Sequence, residues 1–452
     1  MSRPHAVVSA VLALLLLLGF PAAAEPWTEP GFGVTLEPPA GAEAVVPSPP
    51  GSQGAWRLDD GSLLRVRLLE SDTPIGRLER TQAFSWAGLT MARMKSVWLD
   101  ERRVAGREGL VQVLELEKVE SRFLPASVRR GVLTYGQAIF RLDPFHVAVA
   151  ELFVEGEAAA ATRPRLLALA DGLSLVEPPV MMDRRRAAVA AAAGFLRGLD
   201  RAGALRDLPP VLRYEVGPPA GEAGLSGRGT RELVTEPQAV QGSGVALPEP
   251  GAVAGWLVGL RGDGGALSIL DKAYASLDGE GEAWMRRTTT RDRAAADPAG
   301  ATGLRVARRT GARSGPTLEV VVTDPPRGGS GGDPEESFRT WTLLERMPDG
   351  LIDELPVDVS PRDVYLNRLD LLVLPELLPR DAAATFAFYA LDPESLKLAL
   401  RLYRVEPLPG GGVDVYERPT LAADPVRHRI DASGRRVEIV QPTGLTFSLS
   451  ES

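Results

Sequence analysis

From Ala383 to Ser450 apolar and polar side chains alternate with a period of two. Leu396, Leu398, Leu400 and Leu402 fall on one face of a strand, with Lys397 and Arg401 on the other, the pattern of a sheet buried on one side. Phe386 and Phe388 precede this strand. The alternation returns at Val413 and Val415, at Val426, His428 and Ile430, at Val437 and Ile439, and at Leu445, Phe447 and Leu449. Gly410-Gly411-Gly412, Asp431-Ala432-Ser433-Gly434 and Gln441-Pro442-Thr443-Gly444 lie between these runs and supply glycines for tight turns at positive φ. The pattern predicts an antiparallel meander.

Upstream, short alternations at Phe32, Val34 and Leu36, and around Trp56 and Leu64 to Leu68, predict strands. Thr73-Pro74 has the form of a helix start, with the helix running to about Arg93. Strands follow at Val97 to Leu99, Leu110 to Val119, Val128 to Leu142 and Phe145 to Val154, and a helix at Arg163 to Ala170. An alanine-rich helix over 182–204, with Asp183 as its cap, marks a domain boundary. Beyond it strands are predicted at Val211 to Val216, Arg228 to Thr235, Gly255 to Leu260, Ala283 to Arg291, Gly303 to Arg309, Thr317 to Thr323 and Phe338 to Arg346. A short helix or helical turn at Pro361 to Leu378 then leads into the meander. The segment from Asp324 to Pro334, rich in Gly and Pro, reads as a surface loop. The fold class is α+β: an N-terminal antiparallel sheet with packed helices over 26–177, and a mostly antiparallel β half-barrel over 208–451.

Arg3, the apolar run Ala6 to Phe20 and the small residues Ala22-Ala23-Ala24 form a signal-peptide pattern over 1–24. The run is short for a membrane span of ~20 residues, so no transmembrane segment is expected after cleavage. With no cysteine in 452 residues, neither a disulfide nor a lipidated N-terminus is expected. The expected location is the periplasm or the medium, as an exported bacterial protein that is not a lipoprotein. The formal charge of −8 argues against a nucleic-acid partner.

Two stretches carry family likenesses. Gly31-Phe32-Gly33-Val34-Thr35-Leu36-Glu37-Pro38-Pro39, Val104-Ala105-Gly106-Arg107-Glu108-Gly109 and Leu173-Ser174-Leu175 make the first region resemble Mog1/PsbP-like domains. That resemblance implies a non-catalytic role in assembly or binding and brings no active-site residues. Leu371-Leu372-Val373-Leu374-Pro375 and the hairpin from Ile430 to Ile439 make the second region similar to LolA-like half-barrels and the DUF3108 family of exported proteins. This likeness implies a curved sheet, with lipid carriage as an analogy only.

Little catalytic chemistry is legible. After the signal only His146 and His428 remain; both read as structural histidines in strands, and no zinc ligand set accompanies them. No G-x-S-x-G elbow occurs, and Gly242-Ser243-Gly244, Gly262-Asp263-Gly264-Gly265 and Gly31-Phe32-Gly33 are turns rather than nucleophile or phosphate loops. Asp349, Asp353, Glu354, Asp358 and Asp363 lack the spacing of a calcium loop and read as a solvated acidic loop. No cofactor or metal and no catalytic residue is expected. Phe386, Phe388, Leu396, Leu398, Leu400 and Leu402 are candidate pocket-lining residues for a lipid-like or other apolar ligand, or for a cell-envelope protein. Arg286, Arg287, Arg291, Arg305 and Arg308 are candidates for gripping an anionic glycan or head group, against the plainer reading of a salt-bridged solvent face. The leading expectation is a non-catalytic protein binding an apolar or amphiphilic ligand, or a partner, on the C-terminal sheet. The rivals are a structural cell-envelope scaffold and a hydrolase of unassigned substrate.

Overall fold

In the computed structural model the described residues are 26–45, 52–71, 74–76, 78, 93–117, 132–156, 158–217, 227–234, 255–263, 267–276, 281–291, 304–314, 317–324, 335–342, 355–392, 397–442 and 445–450. The signal-like segment, the loop over 325–334, Leu396, Asp349, Asp353, Glu354 and most of the predicted 73–93 helix lie outside them. Both sheets of any size are antiparallel, with helices packed on them, an α+β protein. The chain divides into two compact units, Met1–Pro178 and Pro179–Ser452.

The first unit runs β1 (Trp27–Thr28), β2 (Val34–Leu36), β3 (Glu43–Ala44), β4 (Gly54–Arg57), β5 (Leu63–Glu70), β6 (Arg93–Val104), β7 (Arg107–Glu117), β8 (Val132–Arg141), β9 (His146–Glu155), α1 (Ala159–Gly172) and β10 (Leu173–Leu175). Its main sheet has the order β3-β4-β5-β9-β8-β7-β6, and β1-β2-β10 form a small second sheet. Arg93, expected to end a helix, begins the long strand β6 instead. The β6–β7 turn places Ala105 at φ 49° and Gly106 at φ 74°, the two positive values that a two-residue turn of type I′ needs. Gly136 on β8 lets α1 approach closely, because a Cβ there would lie 3.2 Å from Leu166. Across the opposite pleat run Arg65, Glu151, Gln137 and Gln112, successive cross-strand partners and all buried. Glu151 accepts from Arg65 and from the Tyr135 hydroxyl, and Gln112 donates to Gln137 at 2.5 Å, so the polar row satisfies much of its own bonding.

The second unit contains α2 (Pro178–Gly198), α3 (Arg201–Asp207), β11 (Val211–Gly217), β12 (Gly227–Val234), β13 (Gly255–Asp263), β14 (Leu267–Ser276), β15 (Gly281–Arg291), β16 (Leu304–Ser314), β17 (Thr317–Asp324) and β18 (Glu335–Thr342). A 3-10 turn at Pro361–Val364 and the helix α4 (Arg368–Leu377) follow. The meander is β19 (Ala384–Asp392), β20 (Lys397–Pro407), β21 (Val413–Arg418), β22 (Val426–Ile430), β23 (Arg436–Val440) and β24 (Thr446–Leu449). The single connecting helix expected over 182–204 is two helices. Asp183 lies inside the first, and Asp200 caps the second by accepting from Gly203 N at 3.0 Å. Ala188, Val189, Ala192 and Ala193 bury one stripe of α2 in a core cluster with the meander, and Phe195 rests against Phe386 and Phe388.

The meander takes the predicted positions, with Gly410, Gly411 and Gly434 at positive φ. Its last strand, β24, pairs with β11, so all fourteen strands form one sheet in the order β18-β17-β16-β15-β14-β13-β12-β11-β24-β23-β22-β21-β20-β19. The sheet is strongly curved, as α4 shows. The helix touches β13, β14 and β15 and also β22 and β19. In a flat sheet β14 and β19, nine strand steps apart, would be separated by roughly 43 Å at ~4.8 Å per step. A helix about 10–12 Å wide cannot span that distance. The sheet therefore wraps around α4, which lies on its concave face.

Candidate functional site

Helix α4 reads Arg-Leu-Asp-Leu-Leu-Val-Leu-Pro-Glu-Leu, an apolar run interrupted by three charges. Asn367 caps it, accepting from Asp370 N at 2.9 Å. Leu369 and Val373, one turn apart, are buried against Ala273, Ala275, Trp284, Leu318 and Val320. Small side chains line this wall, and at Gly311 a Cβ would strike the Trp284 ring at 2.3 Å. The charged positions of α4 are buried as well, and each meets a partner of opposite sign. Arg368 is bonded to Asp271, which also takes Arg286 at 3.3 Å. Asp370 accepts from Arg201 of α3 at 2.6 Å. Glu376 accepts from both Arg231 and Arg436, the latter at 2.7 Å, and Arg436 also bonds the Leu372 carbonyl at 2.8 Å. Just before the helix, the Tyr365 hydroxyl donates to Glu282 at 3.1 Å, and Arg313 donates to the same carboxylate at 3.2 Å.

Burial dominates the electrostatics of this face. It pushes Glu282 up to about 7 against the pull of Arg313 and Tyr365, and it raises Asp370 despite Arg201. Burial also lowers Arg231, whereas for Arg436 the same penalty is overcome by Glu376 and its pKa rises. Removing charges from water costs about what their pairing returns, so such pairs fix one arrangement more than they add net stability. The helix is thus held at both ends by ion pairs and along its length by apolar packing on two sides, Leu369 and Val373 in one core cluster and Leu371, Leu374 and Leu378 in another.

The same face of the meander carries a second polar group. Tyr403 stands directly across from Glu417, and Val415 across from His428. Glu417 accepts from Arg401 at 2.8 Å and Tyr403 at 3.1 Å, and it meets His428 Nε2 at 3.0 Å. Burial alone would raise Glu417, but His428 and Arg401 hold it down at about 2; burial lowers His428. His428 is 6 % exposed, and its imidazole faces the Glu417 carboxylate inside the fold. In the first unit His146 meets Asp143 at 2.8 Å and the Phe32 ring at 4.7 Å. Among the described residues no group of His, Asp and Glu has the form of a metal site, and no helix is long and apolar enough to cross a membrane.

The candidate pocket residues do not share a face. Phe388 pairs with Arg401 and Phe386 with Tyr403, whereas Leu398, Leu400 and Leu402 pair with Leu391, Tyr389 and Ala387 on the other side. Leu400 and Leu402 are buried in the core, and Leu398 packs partly buried between two core clusters. Arg401, expected on a solvent face, is buried in ion pairs, because the curved sheet has covered surfaces on both sides here. The arginine stripe divides in the same way. Arg286 pairs with Arg309 on the concave side, and Arg287 with Arg308 on the other; Arg291 and Arg305 take register positions across from Leu304 and Thr290. Adjacent residues of a strand point oppositely, so Arg286 and Arg287 cannot grip one anion from one face. Surface grooves occur elsewhere: about 730 Å³ beside Arg213, Arg429 and Val437, and about 520 Å³ between α2 and α3.

Sequence reasoning passed over Arg231, Asp271, Arg368, Glu376 and Arg436. The available signal was the trio Arg368, Asp370 and Glu376 within an otherwise apolar decapeptide. Compared with known proteins, the chain matches no protein-family model and no curated protein sequence.

Proposed function

We propose that this chain is an exported, non-catalytic binding protein whose second unit is a half-barrel that receives an apolar or amphiphilic ligand on its concave face. The observation that carries the reading is α4 itself: a ten-residue helix lying in the hollow of a fourteen-stranded sheet, fastened by ion pairs to Asp271, Arg201, Arg231 and Arg436. A helix secured by apolar packing alone would be a permanent part of the core. One whose two ends rest on buried pairs of little net worth can exchange places with a ligand that satisfies the same apolar wall in place of Leu369 and Val373. The wall beneath Leu369 and Val373, made by Ala273, Ala275, Trp284, Leu318 and Val320, is the apolar half of that site. The N-terminal signal-like pattern supports export, and the Mog1/PsbP-like likeness of the first unit supports a binding or assembly role for it.

The test is a neutral environment-sensitive probe, N-phenyl-1-naphthylamine, titrated into the folded full chain at pH 7. Saturable fluorescence, with an unchanged circular dichroism spectrum and a cooperative melt, is the expected result. Absence of any saturable signal, in the wild type and in a Glu376→Gln variant whose clamp is weakened, would overturn the reading.

A further inference from the structure

Glu376 is a single carboxylate shared by two guanidiniums, Arg231 and Arg436, which are 2 % and 8 % exposed. One carboxylate is therefore in direct contact with two guanidiniums in a buried place, with Glu417 acting on Arg436 from farther off. The Nε–H of each arginine, and Oε1 of Glu376, has no hydrogen-bond partner among the described residues. Buried charged donors left over in this way favour a further acceptor, and two planar forks are suited to a carboxylate or phosphate. Beyond Glu376 along the same helix lie Leu369 and Val373 on their apolar wall. Seen from the sheet, α4 presents an anionic group at one end and a hydrocarbon surface along its length.

The geometry points to an anionic amphiphile as the ligand, its carboxylate or phosphate head taken by Arg231 and Arg436 and its apolar chain lying along Ala273, Trp284, Leu318 and Val320, with α4 as the tethered competitor whose Glu376 occupies the head-group site. This rests on the reading of the concave face as the binding site and adds the head-group chemistry to it. At the head-group site exchange conserves the charge balance, since one anion leaves Arg231 and Arg436 as another arrives, while Asp271 keeps Arg286 when Arg368 departs. A neutral amphiphile would instead leave both buried guanidiniums without the carboxylate they contact, and Arg231 with no other carboxylate acting on it, an arrangement that is strongly disfavoured.

Isothermal titration calorimetry on the full chain tests this, with dodecanoate, dodecyl phosphate and the uncharged octaethylene glycol monododecyl ether, each below its micelle concentration. Wild type should bind at least one of the two anions about tenfold or more tighter than the ether, the scale of one charge-assisted hydrogen bond. Whichever anion is tighter identifies the head group as carboxylate or phosphate. Arg436→Gln should bring the ratio of anion to ether affinity towards one. Glu376→Gln should tighten all three ligands by a common factor, because it raises the fraction of molecules with α4 displaced. Equal affinity of wild type for the anions and the ether would overturn the head-group assignment while leaving the amphiphile site standing. Failure of all three to bind wild type and Glu376→Gln would remove the site itself. Should either variant melt without cooperativity, the ratio measured on wild type still decides.

Discussion

Replacing Glu376 by alanine probes whether α4 is clamped as described. The change removes the carboxylate shared by Arg231 and Arg436 and leaves both guanidiniums buried without it. Breaking a buried pair from one side costs about 3–5 kcal/mol, because the stranded charge keeps its desolvation penalty and loses its partner. Here two charges are stranded, which places Glu376→Ala at or above the upper end of that range. Against a typical domain stability of roughly 5–15 kcal/mol, such a loss is a large fraction of the whole. The combined replacement Arg231→Met, Glu376→Leu and Arg436→Met removes all three charges, so it should recover most of the loss and lie within about 1–4 kcal/mol of wild type on the stable side. Urea unfolding followed by far-ultraviolet circular dichroism measures both. A cost below about 1 kcal/mol for Glu376→Ala would match a solvent-screened pair instead and refute the clamp.

The remaining expectations are independent of one another. Leu400→Ala removes a buried side chain from the core that joins the meander to α2 and should cost about 2–5 kcal/mol, with Leu398→Ala, only partly buried, costing less in the same urea titration. Glu282, held up at about 7, makes folding less favourable as pH rises from about 4.5 to 7, since the unfolded carboxyl ionises first. Glu282→Gln should therefore gain stability relative to wild type progressively across that window, and a difference in melting temperature that stays constant with pH would contradict it. Glu417, held down at about 2, acts with the opposite sign: its contribution is complete above about 4.5 and lost as pH falls towards 2, so Glu417→Gln should flatten the acid limb of the stability profile. Ala105→Asn places a residue that tolerates positive φ in the β6–β7 turn and should raise stability by about 0.5–1 kcal/mol in thermal melts, whereas Ala105→Val should lower it.

Much of the architecture follows from short-range pattern. The period of two places β19 to β24, and the turns at Gly410, Gly411 and Gly434 follow from the need for positive φ. Pairing across the chain is a different matter. That β24 joins β11, and so unites the meander with eight earlier strands, depends on contacts more than two hundred residues apart, which no local periodicity encodes. The same distance hides the curvature, and with it the burial of Arg401, whose polar side reads as solvent-facing until the sheet closes over it. Grouping Phe386 and Phe388 with the leucines required the β19–β20 register, since a one-residue slip exchanges the two faces. For the arginines the pleat alone is informative: Arg286 and Arg287 are neighbours, and neighbours on a strand diverge. The clamp residues come from six elements, α3, β12, β14, β15, α4 and β23, and only the three charges on α4 stand out locally.

Hydrogen–deuterium exchange of the α4 amides, Leu369 to Leu377, with and without saturating dodecanoate tests the central claim most directly. If the ligand takes the place of the helix on the concave face, protection of these amides falls when it binds, while that of β14 and β15 is kept or rises. Binding accompanied by unchanged or increased protection of α4 would place the ligand elsewhere and contradict the account.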